Sequence, residues 1–471
     1  MAQLGFIKKI VFGALIFSLC LPYIQTKLTI VKQLPLNGVF EKANDPTFKS
    51  KDWFEGEYQK GYSNFIDQNV GFRNFFIRLF NQINYSIFNV SNREHVVLGK
   101  EGYLFEQPYF DFSHGKHYEN DSIYREKLTT LAQAQDILKS KGIDLITILA
   151  PTKARFFSEY ADEFNARSEK KYTHYDYLKG HYRELGLNVI DFNKWFMETK
   201  STSPYPLFPK QGIHWSYYGA AKVVDSLIHY FEITHHARMN DYAYSIVPDT
   251  LVGTDYDLGD LMNLFFKMEP NKMAYPKFTF SSAPERWKPR ILVIGDSFNW
   301  TLYNWAIFKN LGCENAYWYY NSTIYPGEGH TEDIDTKKEA LKYDIILLLQ
   351  SEPGYSNPGY LFAERLVSNA EHSKKYSAEF NVKIRSTKFL ITAAIEKSKS
   401  ENRKLDDVVL EMADSLAEIK EARLTAIEHQ IRNSPEWFEQ IKQKAKDNNK
   451  SLEEMMKTDA NWLYEQETAK K

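Results

Sequence analysis

Cysteine is almost missing from this chain: Cys20 and Cys313 are the only two in 471 residues. Cys20 lies inside an apolar run near the N-terminus, so the rest of the chain has no partner for an internal disulfide, which is compatible with a compartment such as the periplasm where disulfides are allowed but not required. An excess of charge of one sign is missing as well. With 59 basic against 61 acidic residues the net charge is −2, which leaves no electrostatic footprint for nucleic acid. The 12 histidines show no ligand spacing, and His235-His236 reads as a solvated helix end, so neither a metal site nor a metal cofactor is expected. A cleavage site of small residues is lacking too. Lys8 and Lys9 precede the apolar run Ile10 to Ile24, but its exit reads Pro22-Tyr23-Ile24-Gln25-Thr26-Lys27. That pattern favours an uncleaved signal-anchor over residues 1–27 with its N-terminus cytoplasmic. The run is short for a span, so Gly5 to Ile7 would have to contribute. Bulky Leu19 argues against lipidation of Cys20.

What is present is length and aromatic mass. The chain is too long for one ordinary core, so two or more structural units are expected. Aromatics make up 15% of it, with 31 tyrosines and 32 phenylalanines, enough to fill a core and to line a glycan cleft. Residues 28–95 form a helical N-terminal region. Within it Phe65, Val70, Phe72, Phe75, Phe76, Leu79, Phe80 and Ile83 recur at helical spacing, which predicts a packing face for the next domain. From 96 to 370, strand-like runs alternate with amphipathic helices. Leu145–Leu149, Leu187–Asp191, Ile291–Ile294 and Asp344–Leu349 are the strands; Ser122–Lys139 and Tyr172–Gly186 are among the helices. This order predicts an α/β fold with a parallel sheet covered on both faces.

The tail, 381–471, is charged, poor in glycine and repetitive. Ile384, Ile395, Leu405, Val408-Val409, Ala413 and Leu416 are matched in order by Ile431, Ile441, Leu452, Met455-Met456, Ala460 and Leu463, at an offset of about forty-seven residues with slips of one. Ser434-Pro435 and Ser451 with Glu454 are helix-start signals, the second a capping box. Each copy reads as a helix pair that buries its apolar face on its neighbour, an interaction or packing module with no chemistry of its own.

Two runs carry chemistry. In Arg290-Ile291-Leu292-Val293-Ile294-Gly295-Asp296-Ser297-Phe298 a buried strand breaks at Gly-Asp-Ser and a helix begins near Phe298. A serine at such a turn stands at the carboxyl edge of the sheet, where open α/β folds bind ligands, and the backbone N–H groups after it can face an oxyanion. Asp-Ser can equally be a helix cap. The second run, Lys210-Gln211-Gly212-Ile213-His214-Trp215-Ser216, sets a histidine just ahead of a helix beginning at Tyr217. A serine hydroxyl needs a base within hydrogen-bond reach, usually histidine.

Together these ordered runs resemble the AlgX/AlgJ-like SGNH-hydrolase-type proteins of alginate O-acetylation, which carry Asp-x-His-Trp followed by a Gly-x-Ser-type nucleophile turn. Val96-Val97-Leu98-Gly99-Lys100-Glu101-Gly102-Tyr103-Leu104-Phe105 is similar to the entry of that catalytic domain, and Leu145 to Lys153 to its first core strand and the loop after it. The resemblance spans roughly Asp52 to Asn357. It implies a flavodoxin-like αβα core, Ser297 as nucleophile, His214 as base, no cofactor, a polysaccharide substrate, and acetyl delivered across the membrane by a membrane-bound O-acyltransferase. The uncleaved anchor with a cytoplasmic N-terminus leads to the expectation of an inner-membrane, single-pass protein with its catalytic domain in the periplasm. One departure stands out: where the family has its triad acid, this chain has Gly212, and glycine cannot hold an imidazole tautomer. A Ser-His dyad, a site without turnover, and a carboxylate from elsewhere are the alternatives. For the last, the loop Thr254-Asp255-Tyr256-Asp257-Leu258-Gly259-Asp260 offers three carboxylates, with Asp255 and Asp257 the preferred candidates, though a solvated turn explains any one of them. Trp215, Asn299 and Trp300 are candidate substrate-binding residues. Three functions compete: polysaccharide O-acetyltransferase, carbohydrate acetylesterase, and a non-catalytic glycan-binding or assembly protein.

Overall fold

The protein is described by a computed structural model over residues 2–38, 43–249, 251–327 and 329–469. It opens on α1 (Ala2–Leu28), in which Phe6–Leu28 is the one helix among the described residues long and apolar enough to cross a membrane. A short helix (Ser50–Glu55) and two longer ones follow, α2 (Glu57–Asn69) and α3 (Arg73–Phe88). The apolar stripe of α3 is not the packing face its spacing suggests. Phe75, Phe76, Leu79, Phe80 and Ile83 are exposed, and α3 meets the rest of the fold through Tyr85, which packs on the cluster of Met262 and Leu264, and through polar side chains. Arg78 donates to the Leu264 carbonyl at 3.1 Å, Asn81 donates to that of Met262 at 2.9 Å, and Gln82 accepts from the Phe266 N–H at 3.0 Å. The segment 262–266 has no ladder of its own here, so its backbone polar groups take side-chain partners.

The central sheet has five parallel strands: β1 (Asp144–Leu149), β2 (Val189–Asp191), β3 (Arg290–Gly295), β4 (Glu314–Tyr319) and β5 (Ile345–Gln350). Their spatial order is β2-β1-β5-β3-β4, extended beyond β4 by two short antiparallel strands, Thr323–Tyr325 and Gly329–His330. The class is the expected one. The order differs from the 2-1-3-4-5 of flavodoxin-like sheets, because the last strand inserts between the first and third, pairing Leu347 with both Ile146 and Val293.

Successive strand side chains point to opposite faces, which divides the core in two. Ile146, Ile148, Ile291, Val293, Ile345 and Leu347 pack with Val223, Val224, Leu227 and Phe231 of the helix α5 (Tyr217–Thr234). On the other face Leu145, Leu292, Ile294, Ile346 and Leu348 pack with Leu128, Leu131 and Leu138 of α4 (Asp121–Lys139) and with Phe362 and Leu366. An antiparallel hairpin, Tyr242–Asp249 with Met273–Phe280, flanks α5.

After the short helix α6 (Asn299–Asn304) behind the nucleophile turn, the chain ends in five helices: α7 (Phe362–Ser386), α8 (Lys388–Glu401), α9 (Leu405–Asn433), α10 (Pro435–Asp447) and α11 (Leu452–Ala469). The repeat has a physical counterpart. Ile384, Ala394, Val408, Val409 and Ala413 form one small core, while Ile431, Ile441, Met455, Met456 and Ala460 belong to another. The residue equivalent to Ile441 is Ala394, which is buried, whereas Ile395 is exposed; the slip at that position disappears. The capping box is present: Ser451 N–H donates to Glu454 at 2.8 Å and Glu454 N–H donates to Ser451 Oγ at 3.1 Å.

Candidate active site

β3 ends at Gly295, and the chain turns through Asp296 and Ser297 into α6. Asp296 is buried and pins the turn. Its carboxylate accepts from Phe298 N–H at 3.0 Å and from both the N–H and hydroxyl of Ser351, beyond β5, at 2.6 Å; its carbonyl accepts from the Tyr317 hydroxyl at 2.6 Å. Burial pushes its carboxyl above the ordinary range, against these hydrogen bonds, which favour the charged form. The turn thus hangs on the ends of two neighbouring strands. The N–H groups of Phe298, Asn299 and Trp300 all donate within it, to Asp296 and Ser297, which corrects the expectation that they face an oxyanion: the helical turn that projects the serine consumes them.

His214 arrives two residues before the Ser216 cap of α5, whose Oγ accepts from Gly219 N–H at 2.9 Å. Trp215 is fully buried and sets its indole edge against Phe298, with ring centres 5.3 Å apart. This contact joins the histidine run to the serine run through the core. It also removes Trp215 from the substrate-binding residues, because a side chain with no open surface cannot meet a glycan. His214 Nε2 lies 2.8 Å from Ser297 Oγ, within the range a general base requires.

On the other side of the ring, His214 Nδ1 lies 3.2 Å from Asp257 Oδ2. Asp257 Oδ1 accepts from Ile213 N–H at 3.0 Å and Leu258 N–H at 2.7 Å, so the carboxylate is fixed by the backbone on both flanks. With Asp257 accepting at Nδ1, the neutral ring carries its proton there and leaves Nε2 free to accept from the serine hydroxyl. Gly212 explains the displacement. A Cβ at that position would sit 2.4 Å from the Thr254 carbonyl oxygen and 3.0 Å from the Asp255 carbonyl carbon. The loop that carries Asp257 fills the space a side chain at 212 would need.

Asp255, the other candidate, does not reach the histidine ring. It is fully buried, neither carboxyl oxygen has a hydrogen bond of standard geometry, and burial pushes it up to about 7, with the Asp257 charge adding and the Tyr275 hydroxyl, His214 and Lys153 opposing. Lys153 went unnoticed as a site residue. It is buried at the exit of β1 and its Nζ donates to the carbonyls of Lys210 at 2.7 Å and Gly212 at 2.8 Å, clamping the histidine run from below. Burial drives its ammonium well below the ordinary value, while Asp257 and Asp255 favour its charged form. Glu106, partly buried beside Asp257, is raised by burial and by that charge. The Tyr320 hydroxyl, also unremarked in the sequence, lies beside Ser297.

Asn299 is buried under the turn and shows no surface to a ligand, a second correction. Trp300 is half-buried in a box of Tyr303, Tyr317, Tyr319 and Tyr325, with ring centres 5.0–5.7 Å from its own. Among the described residues no group of three or more His, Cys, Asp or Glu side chains is placed to hold a metal ion.

A serine at the carboxyl end of a central strand is thus hydrogen-bonded through a histidine to a carboxylate, the arrangement of a Ser-His-Asp triad. Residues 96–306 match the family described as the SGNH hydrolase-like domain of the acetyltransferase AlgX. No curated protein matches the chain. Solved structures similar to it include the O-acetyltransferase domain of Pseudomonas putida AlgJ (16% identity, 59% of this chain and 100% of that one, TM-score 0.38). Pseudomonas aeruginosa AlgX is 17% identical over 57% of this chain and 67% of its own (TM-score 0.40), and Bacillus cereus PatB1 10% identical over 56% and 99% (TM-score 0.39).

Proposed function

We propose that this protein is an O-acetyltransferase that acylates hydroxyls of a polysaccharide through Ser297. The observation that carries the reading is the unbroken hydrogen-bonded chain Ser297–His214–Asp257, assembled although position 212 is glycine. His214 Nε2 takes the serine proton as Oγ attacks the acetyl carbonyl, and Asp257 stabilises the imidazolium. The hydroxyl of Tyr320 is a donor beside the developing oxyanion. Collapse expels the donor's leaving group, which takes the proton from His214, and leaves acetyl-Ser297. A sugar hydroxyl then gives its proton to His214, attacks the ester and departs acetylated, regenerating the serine. No cofactor enters this cycle. The acetyl donor is a membrane-bound O-acyltransferase, and α1 keeps the domain at the membrane it serves, on its periplasmic side.

The test is turnover of an activated acetyl ester by the full chain, with and without oligosaccharide acceptors, following the fate of the acetyl group. Acetyl on the sugar, lost in Ser297→Ala, supports transfer. Free acetate at a rate indifferent to every acceptor makes the protein an acetylesterase. Absence of any Ser297-dependent reaction returns it to a glycan-binding or assembly role.

A further inference from the structure

α3 is amphipathic the wrong way round for a helix lying on a soluble domain. Its polar residues Arg78, Asn81 and Gln82 face inward and satisfy the backbone of 262–266. Its apolar residues form an outward stripe at helical spacing, Phe76, Phe80, Ile83 and Ile87, with Phe80 61% and Ile87 69% exposed. Phe266, on the segment α3 holds, adds another ring at 76% exposure. An exposed patch of this kind marks an interaction surface.

The position of α1 says what covers it. Tyr23 and Lys27, on the last turns of α1 with the Lys27 Nζ 5.9 Å from the Tyr23 ring centre, are the residue types that settle at a membrane–water boundary. At that level α1 is docked on the entrance to α3. Gly71 N–H donates to Thr26 Oγ1 at 2.7 Å, and a Cβ on Gly71 would lie 2.2 Å from the Pro22 carbonyl oxygen. Between the two helices runs a mostly apolar cavity of about 480 Å³, lined by Leu21 and Pro22 of α1 and by Leu34, Phe72, Phe75 and Phe265. The outward stripe of α3 is therefore continuous with the apolar surface of α1.

We propose that the outer face of α3, with Phe265 and Phe266, is seated in the lipid leaflet on the catalytic side of the bilayer, and that acyl chains fill the cavity between α1 and α3. This rests on α1 being a membrane anchor. It gives the site a fixed address, because the segment 257–266 carries the Asp257 carboxylate at one end and the lipid-facing rings at the other.

The experiment uses the full chain in vesicles of phosphatidylethanolamine and phosphatidylglycerol. In a Cys20→Ala, Cys313→Ala background, an environment-sensitive dye is attached at Phe76→Cys, Phe80→Cys or Phe266→Cys, with Glu285→Cys, exposed on the catalytic domain, as the aqueous reference. Insertion of α1 is measured separately by resistance to carbonate extraction. The expected result is a blue-shifted emission at the three sites, quenching by shallow spin-labelled lipid, and a several-fold loss of iodide quenching relative to residue 285. Iodide access at all three sites equal to that at 285, with α1 inserted, overturns the proposal while leaving the anchor intact. Release by carbonate overturns both. Protection seen in native membranes but not in pure lipid assigns the face to a protein partner instead.

Discussion

α3 and α5 are both amphipathic helices, of 16 and 18 residues, and they are seated in opposite senses. α5 turns Val223, Val224, Leu227 and Phe231 into the sheet core, and its N-terminus delivers His214. α3 turns its phenylalanine rings outward and, with its polar side and Tyr85, grips the segment that follows Asp257. His214 thus arrives on a conventionally buried helix and Asp257, its carboxylate partner, on a segment held by an inverted one. Helical periodicity identifies a face but not what lies opposite it; that depends on which surface the rest of the chain presents.

The comparison is sharpened most by the acid itself. Asp257→Asn should keep the fold and lower ester turnover by on the order of 10³–10⁴, as loss of the tautomer-holding carboxylate does in triads, whereas Asp255→Asn should leave turnover at pH 8 within a few-fold. Steady-state kinetics on both variants checks this. Equal losses would break the distinction between the two loop carboxyls.

Asp255 carries the next largest effect. Its ordinary value is 3.8 and burial lifts it to about 7, so between those limits the folded protein holds a proton that the unfolded chain releases. Stability is full below the unfolded value and falls as pH rises to about 7, by on the order of 4 kcal/mol for a shift of this size. The thermal midpoint should drop between pH 5 and 8, and Asp255→Asn should flatten that slope.

Equivalent truncations on the two helices should then part company. Phe231→Ala should cost about 3–5 kcal/mol through the cavity it leaves, and Phe80→Ser about 0.5 kcal/mol or less, measured by denaturant unfolding in detergent. A large loss from Phe80→Ser would show that α3 packs inward after all.

Restoring the family's acid should not help. Gly212→Asp forces a side chain onto the Thr254 and Asp255 backbone and should destabilise by about 1–3 kcal/mol while lowering turnover. The smallest effect on turnover is expected of Arg78→Ala, which leaves the Leu264 carbonyl short of a donor, costs about 1–2 kcal/mol, and slows turnover modestly by loosening the segment behind Asp257.

Much of this was legible in the residues. Runs of β-branched and aliphatic residues placed β1, β3 and β5, because buried parallel strands carry little else. β4, Glu314–Tyr319, escaped notice because its sequence ENAYWY is polar at its start and aromatic at its end. The hairpin Tyr242–Asp249 with Met273–Phe280 also escaped: its long separation in sequence hides the pairing. The forty-seven-residue spacing of the tail was readable because each copy buries the same positions.

Sequence alone therefore determined the class of the fold, the nucleophile and base as candidates, and the apolar helix at the N-terminus, since each depends on local pattern or on a short motif. It narrowed the acid to one loop of three carboxylates, with Asp255 and Asp257 preferred, and went no further. Choosing Asp257 over Asp255 took the tertiary structure, because a two-residue step along a tight turn sends one carboxyl to the imidazole and the other into the core. The same holds for Trp215, Lys153 and the outward face of α3: burial and direction are properties of what packs against a residue, and those neighbours come from distant parts of the chain.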